Sequence, residues 1–241
     1  MTEVKKDVFS RYLDLVSLKG ESNSREAVLN SSKDENSILL VTSNKIVALR
    51  GVYKGDLGDL GVVGLDNIKL ISDFIKRIST ETVMLEVKSN KLIVRPKDGS
   101  SVLKAMLRSP EYILNTVTSD KFDGLVSKVG EDKLVIKGED ITNIINYFSI
   151  IANSRITLKK VGNDLQCRVG DEQNDIGVKI AVEGACSDFT IELPNLWVDM
   201  LSVIGNNDLV IGVCGNEQLY MKIDSKDYVF EYIIAAVVEA K

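Results

Sequence analysis

The chain contains no histidine. That single absence removes histidine-based nucleophile triads, imidazole metal sites and imidazole proton shuttles together. Cysteine is scarce: Cys167, Cys186 and Cys214 are odd in number, far apart, and each lies in or beside a strand-like run. They read as reduced thiols of a core or sheet, not as a disulfide framework. Long apolar runs are missing too. Nothing approaches the ~18–20 residues of a membrane-spanning helix, and Met1–Ser10 has no apolar signal core. The expectation is a cytoplasmic protein (of a host cell if viral, nuclear only if eukaryotic) with no membrane partner. Nor is positive charge in excess, since 30 Lys and Arg stand against 35 Asp and Glu, a formal net charge of −5. Gripping nucleic acid by overall charge is excluded; gripping it with bases gathered on one face is not.

Two patterns that could signal chemistry fall short. Gly55, Gly58, Gly61 and Gly64 recur every third residue in GDLGDLGVVG. No Gly-Lys-Ser/Thr ending follows, and no Gly-x-Gly-x-x-Gly leads from strand to helix, so the stretch reads as a turn before a strand. The carboxylate pairs Asp56 and Asp59, Glu139 and Asp140, and Asp171 and Glu172 sit at loops or helix starts, where they cap or solvate. No catalytic residue, metal ligand or cofactor is expected.

What the chain has is repetition. Residues 65–107 read as a helix over Asp66–Ile78, with an apolar stripe at Ile68, Ile71, Ile75 and Ile78. Strands follow at Thr82–Lys88, Lys91–Pro96 and Val102–Arg108, separated by Ser89-Asn90 and Lys97-Asp98-Gly99. The same order returns at 193–235. A helix opens at Pro194 and carries Met200, Leu201 and Ile204, and Gly205-Asn206 stops it. Strands then run over Asp208–Cys214, Gln218–Ile223 and Tyr228–Ala235. The copies are offset by about 128 residues, so the chain divides into two equivalent halves.

Each half holds a second such unit. Lys5–Leu18 forms a helix on Phe9, Leu13 and Val16, stopped by Gly20–Ser24, with strands at Arg25–Asn30, Ser37–Ser43 and Lys45–Val52. Lys133–Lys137 is a strand. Glu139–Asn153 is the cleanest amphipathic helix, apolar at Ile141, Ile144, Ile145, Phe148, Ile151 and Ala152. Strands over Arg155–Lys160, Asp164–Val169 and Asp175–Glu183 follow. The domains are 1–108 and 125–241, with 109–124 an ordered connector.

Four helix-plus-strands units in two equivalent halves resemble the DNA sliding clamps of the two-domain type, the proliferating cell nuclear antigens and phage-type polymerase processivity factors. The stretches LGVVGLDNIKLISDFIKRI, TVMLEVKSNKLIV and YVFEYIIAAVVE carry the likeness. The resemblance implies an α+β fold with two similar domains, each with two helices packed on antiparallel sheets. It implies a homotrimeric ring, helices inside, that encircles duplex DNA without sequence preference and tethers a DNA polymerase, loaded by a clamp loader. The DNA-facing set is then Lys5, Lys6, Arg11, Lys69, Lys76 and Arg77 in the first half. The second half's helices are hardly basic, which leaves Asn143, Asn146 and Arg155. A partner peptide would meet Ile38, Leu40, Leu114, Val117, Ile233, Ile234 and Ala235.

By position, the strand edges joining subunits are Val102–Arg108 and Asp175–Glu183. Lys104, Ala105 and Arg108 would stand against Asp175, Ile180 and Glu183. Within the same fold the alternative is a clamp-like subunit of a checkpoint or transcription-coactivating ring. Outside it stand a β-rich scaffold protein and a β-rich enzyme with a carboxylate site.

Overall fold

The computed structural model describes residues 1–18, 25–32, 35–151, 155–170, 174–184, 186–214 and 217–237. The stop at Gly20–Ser24, Ala152 and Asn153 of the expected helix, Asp171 and Glu172, Gly215 and Asn216 and the last residues of YVFEYIIAAVVE lie outside that set.

The repeat is more regular than its pattern suggested, because each unit has a strand in front of its helix. The first is β1 (Thr2–Lys5), α1 (Lys6–Ser17), β2 (Ala27–Ser31), β3 (Asn36–Val41) and β4 (Val47–Tyr53). The second is β5 (Gly61–Leu65), α2 (Ile68–Arg77), β6 (Thr82–Lys88), β7 (Lys91–Arg95) and β8 (Leu103–Arg108). A short helix, α3 (Ser119–Val126), precedes the third, which is β9 (Lys133–Ile136), α4 (Gly138–Phe148), β10 (Arg155–Val161), β11 (Asp164–Gly170) and β12 (Asp175–Ala181). The fourth is β13 (Phe189–Leu193), α5 (Leu196–Ile204), β14 (Leu209–Cys214), β15 (Gln218–Asp224) and β16 (Tyr228–Ala235). The architecture is α+β with a pair of helices in each half on antiparallel sheets, as the resemblance implies, and the short α3 in addition.

Three local readings change. β1 is only four residues long and carries a single apolar side chain, Val4, too little for an alternation to show. It exists because β6 offers it a partner edge, with Val4 opposite Val83. Lys5 therefore ends a strand and does not lie on α1. α4 stops at Phe148, so the apolar spacing, which continues to Ile151, ran past the real end of the helix. Finally, the second half of the expected connector is helical. α3 buries Phe122 alone, and one anchor leaves no stripe to read in the sequence.

Met1–Ser119 and Ser225–Phe230 form one compact unit, and Asp120–Asp224 with Glu231–Lys241 the other. In the first unit the strands run β1-β6-β7-β8-β5-β2-β3-β4. In the second, β16-β15-β14-β9 form one layer and β12-β11-β10-β13 another. The core of each unit is the apolar face of its helix pair against these sheets. α2 shows the cause: Ile68, Ile71 and Ile75 are at most 1% exposed, and burying such side chains is worth about 1.5–3 kcal/mol each. Asn67 caps the helix by accepting from Leu70 N at 3.0 Å, which satisfies a donor the first turn leaves free.

Candidate nucleic-acid and assembly surfaces

In the first unit α1 and α2 lie side by side, joined through small residues. Ser72 Oγ donates to Asp14 Oδ1 at 2.7 Å, and Lys76 Nζ reaches the same oxygen at 2.6 Å. The cations expected to face DNA are thus unequal. Lys76 is held by Asp14, and Lys69 by Asp73 at 3.1 Å. Lys6 donates to Ile78 O at 3.3 Å and sits 3.7 Å from Asp7. Arg11 is half-buried on α1. Lys5 and Arg77 are exposed, with no side-chain partner among the described residues.

In the second unit the helix pair is neutral to acidic. Asn143 and Asn146 are exposed on α4, beside Glu139 and Asp140, and Asp199 is exposed on α5. α4 starts on Asp208, whose Oδ1 accepts from Gly138 N at 3.0 Å. The hydrogen bond and charge of Asp208, with help from Glu183, raise the Lys137 ammonium above its ordinary pKa. Arg155 does not join the helix face. In β10, Ile156 and Leu158 point into the core, so Arg155 lies on the opposite face, 3.6 Å from Glu192. There it borders a shallow hollow of about 420 Å³ with Thr157, Lys159, Gln166 and Arg168.

The residues expected to meet a partner peptide divide sharply. Ile38, Leu40 and Ile234 are 0% exposed and Ile233 is 5% exposed. These four are buried side chains and offer no open wall to a ligand, with Ile233 and Ile234 on opposite faces of β16. Val117 and Ala235 are half-buried, and Leu114 is 86% exposed. The connector is pinned where Val41 N donates to Asn115 O at 3.0 Å. Ile113 is buried over Gly64, where an added Cβ would stand 2.7 Å from Ile113 Cγ1. Tyr112 and Leu114 project outward on either side of that anchor.

Among the described residues, β12 and β8 keep an open edge. β12 pairs with β11 alone, and β8 pairs with β7 but touches β5 only at Leu107 and Arg108. The direction of each edge can be read from the ladder. Leu107 N donates to Asn90 O, so Leu103, Ala105 and Leu107 turn their backbone groups toward β7. Lys104 and Met106 therefore present theirs to the open side. Likewise Val182 N donates to Asn163 O, so Ile176, Val178 and Ile180 face β11 and Gly177 and Lys179 face outward.

This corrects the expected joint at two residues. Ala105 spends its backbone bonds inside the fold, and Ile180 is in addition a core side chain at 5% exposure. The expected charge pairing is also taken up within the chain. Arg108 is 3.0 Å from both Glu26 and Asp66, Asp175 is bonded to Arg168, and Glu183 is 3.5 Å from Lys137. Beside the β8 edge lies a hollow of about 650 Å³ lined by Val62, Val63, Leu107, Arg108, Pro110 and Tyr112, among others. Val62, Met106 and Tyr112 around it are more than half exposed.

The repeat gives those open edges a meaning. β4 is the counterpart of β12, and β16 the counterpart of β8. In the first unit β4 is covered: Lys54, just past its end, donates from its backbone N to Asp227 O at 2.8 Å and from Nζ to Ser225 O at 2.7 Å. Gly51 within β4 leaves the space filled by the Phe230 ring, 2.4 Å from where a Cβ would stand. The start of β16 thus closes the edge of β4, while among the described residues the equivalent edge of β12 is open along Asp175–Ala181 and is met only past its end, where Val135 N donates to Glu183 O at 2.8 Å.

The cysteines are free thiols. Burial, with a smaller effect from Asp140, pushes Cys167 up to about 12, while Cys186 and Cys214 are half-buried. Iodoacetamide at neutral pH should therefore label Cys186 and Cys214 in the native protein and Cys167 only after denaturation. Two adducts, then three, by intact mass would confirm it; native labelling of Cys167 would show that its strand opens. Among the described residues no cluster of metal-ligating side chains occurs, and no helix is long and apolar enough to cross a membrane.

No protein-family model and no curated protein sequence matches the chain. Solved structures do. The proliferating cellular nuclear antigen of Entamoeba histolytica superposes with a TM-score of 0.77 at 11% identity, over 97% of this chain and 96% of that one. The A. fulgidus PCNA bound to the C-terminal region of FEN-1 gives 0.79 at 14%, over 99% and 98%. A putative DNA polymerase III beta subunit from Eubacterium rectale gives 0.73 at 13%, over 99% of this chain but 65% of that one. At such identities the likeness lies in the path of the backbone, and it extends over nearly the whole length: this chain has the sliding-clamp fold.

Proposed function

We propose that the protein is a DNA sliding clamp, a homotrimeric ring that encircles duplex DNA, is placed there by a clamp loader and tethers a DNA polymerase. The observation that carries this reading is the pair of open edges on a chain of clamp fold. What the start of β16 does for β4 within the chain, β8 of one copy does for β12 of the next. Three copies of a two-part repeat, joined head to tail, close a ring in which both of these edges are covered. Catalysis has no part in it, since enclosure holds the DNA. A net charge of −5 suits that role, because tight phosphate contacts would hinder sliding. The exposed side of the connector, with Leu114 and Val117, is where a partner's peptide docks.

The experiment is retention. With loader and ATP supplied, the protein should stay on nicked circular DNA and leave within minutes of linearisation. Equal retention on both forms means that affinity holds it, and enclosure is then wrong. A second reading, a subunit of a mixed ring, is favoured by one similar structure, a PCNA2–PCNA3 complex from Sulfolobus tokodaii (TM-score 0.72, 15% identity). Mass in solution separates the two, because a mixed-ring subunit would not trimerise alone.

A further inference from the structure

We infer that each chain meets the phosphate backbone at one place only, the corner where α1 begins and α2 ends, and that the α4–α5 pair adds no charge contact. The inference rests on the ring reading and refines where the duplex is held.

Six cations on or beside α1 and α2 would suggest an even coat of charge, but the side-chain geometry does not give one. Lys76 and Lys69 are ion-paired with Asp14 and Asp73 at 2.6 and 3.1 Å. The remainder gathers at one end. Lys6 N donates to Glu81 O at 2.9 Å and Lys6 Nζ to Ile78 O at 3.3 Å, so the first turn of α1 lies against the chain just leaving α2. That contact brings Lys5, Lys6 and Arg77 to a single corner, with Arg11 about one turn further along α1. Lys5 and Arg77 are its exposed members, without side-chain partners among the described residues. The carboxylates near the corner are engaged or peripheral. Glu3 accepts from Thr82 at 2.6 Å and lies 3.9 Å from Lys97, while Asp7 stands 93% exposed beside Lys6. Glu81 is exposed on the turn into β6.

In the second unit the counterpart of Lys5 is Lys137, just before α4, and it is engaged by Asp208 at 3.4 Å and Glu183 at 3.5 Å. No Lys or Arg occurs within α4 or α5, and Glu139, Asp140 and Asp199 belong to them. Arg155 lies on the face of β10 turned away from the core, against Glu192. A ring built this way touches phosphate at three corners instead of along six helix pairs. Few contacts mean a shallow dependence on salt, which lowers the barrier to sliding.

The test is binding of a fluorescein-labelled linear duplex of about 30 base pairs, followed by anisotropy from roughly 20 to 200 mM salt. Lys5→Glu with Arg77→Glu should weaken binding at least tenfold and flatten the salt slope by about 0.9 for each phosphate no longer neutralised. Asn143→Glu with Asn146→Glu should change affinity by less than twofold. Circular dichroism melting keeps the comparison to folded variants, and Lys5→Gln with Arg77→Gln, which introduces no new charge, should show the same order. Equal losses from both units would overturn the inference, as would an unmutated protein that does not bind the duplex even at the lowest salt. The ring reading fails separately. A protein that binds linear duplex through this corner but is not retained on circles keeps the corner and loses the ring.

Discussion

Ile234→Asp is expected to unfold the second unit, not to silence a binding pocket. Ile234 is 0% exposed near the end of β16, and its neighbours Tyr232 and Ile233 are at most 5% exposed. Removing its side chain alone costs about 2–5 kcal/mol. A carboxylate placed there without a partner adds several more, or must take up a proton to remain. Either sum is a large part of the ~5–15 kcal/mol that holds a typical domain together. The expected result is loss of cooperative thermal unfolding, or a melting point lowered by well over 10 °C at about 2–4 °C per kcal/mol. A variant that melts like the parent would mean that the side chain has an open face after all.

The companion variant is Leu114→Asp. Leu114 is 86% exposed on the connector, and surface changes typically cost within ~0.5 kcal/mol. It should fold and assemble like the parent while losing stimulation of a polymerase, because an apolar side chain that anchors a peptide contributes far more to binding than to the fold. Unchanged stimulation would move the partner's site off this part of the connector.

Met106→Pro and Lys179→Pro are each expected to turn trimers into folded monomers. Both residues direct their N–H to the open side of an edge strand, where proline removes a donor needed by the joint but none used inside the fold. In a head-to-tail ring the altered strand recurs at every joint, so one substitution weakens all three. Sedimentation should show the 26.6 kDa chain mass in place of three times that value, with melting nearly unchanged. Ala105→Pro and Ile180→Pro should behave differently. They break the β7–β8 and β11–β12 ladders, so their melting points fall whatever the oligomeric state. Raising salt from about 0.1 to 1 M should loosen the trimer little. Arg108, Asp175 and Glu183 are already paired within the chain, and such exposed pairs contribute only ~0–1 kcal/mol each. A monomeric unmutated protein at micromolar concentration would sink the homotrimer, and a unique dimer would sink the three-fold ring.

Local pattern was enough to set the number of units, their order and their buried stripes. A 3–4 spacing of isoleucines makes a helix face, and alternation broken by Ser89-Asn90 makes a hairpin, wherever the chain is placed. From α2 through β8, and again from α5 through β16, the elements expected from sequence lie within a few residues of those observed. β1 escaped because four residues carry too little pattern, and α3 because one buried Phe122 makes no stripe.

Which residues of each element are available was settled only by how the chain folds back on itself. Lys76 and Lys69 look alike beside Arg77 in sequence, but Asp14 and Asp73 pair with the first two and leave the third. Asp14 reaches Lys76 across 62 positions of chain. Ile234 and Leu114 are both aliphatic, yet one is core and the other stands in solvent, because burial depends on which sheet closes over a strand. Ala105 and Met106 are adjacent, but their backbone groups point to opposite neighbours, and only the strand pairing says which neighbour exists. Lys69–Asp73 is a local pair four residues apart, but the Lys76–Asp14 pair, burial and edge direction depend on partners distant in sequence. No local pattern encodes them, so the fold could be read from the chain while the exposure and pairing of these residues had to be seen in the structure.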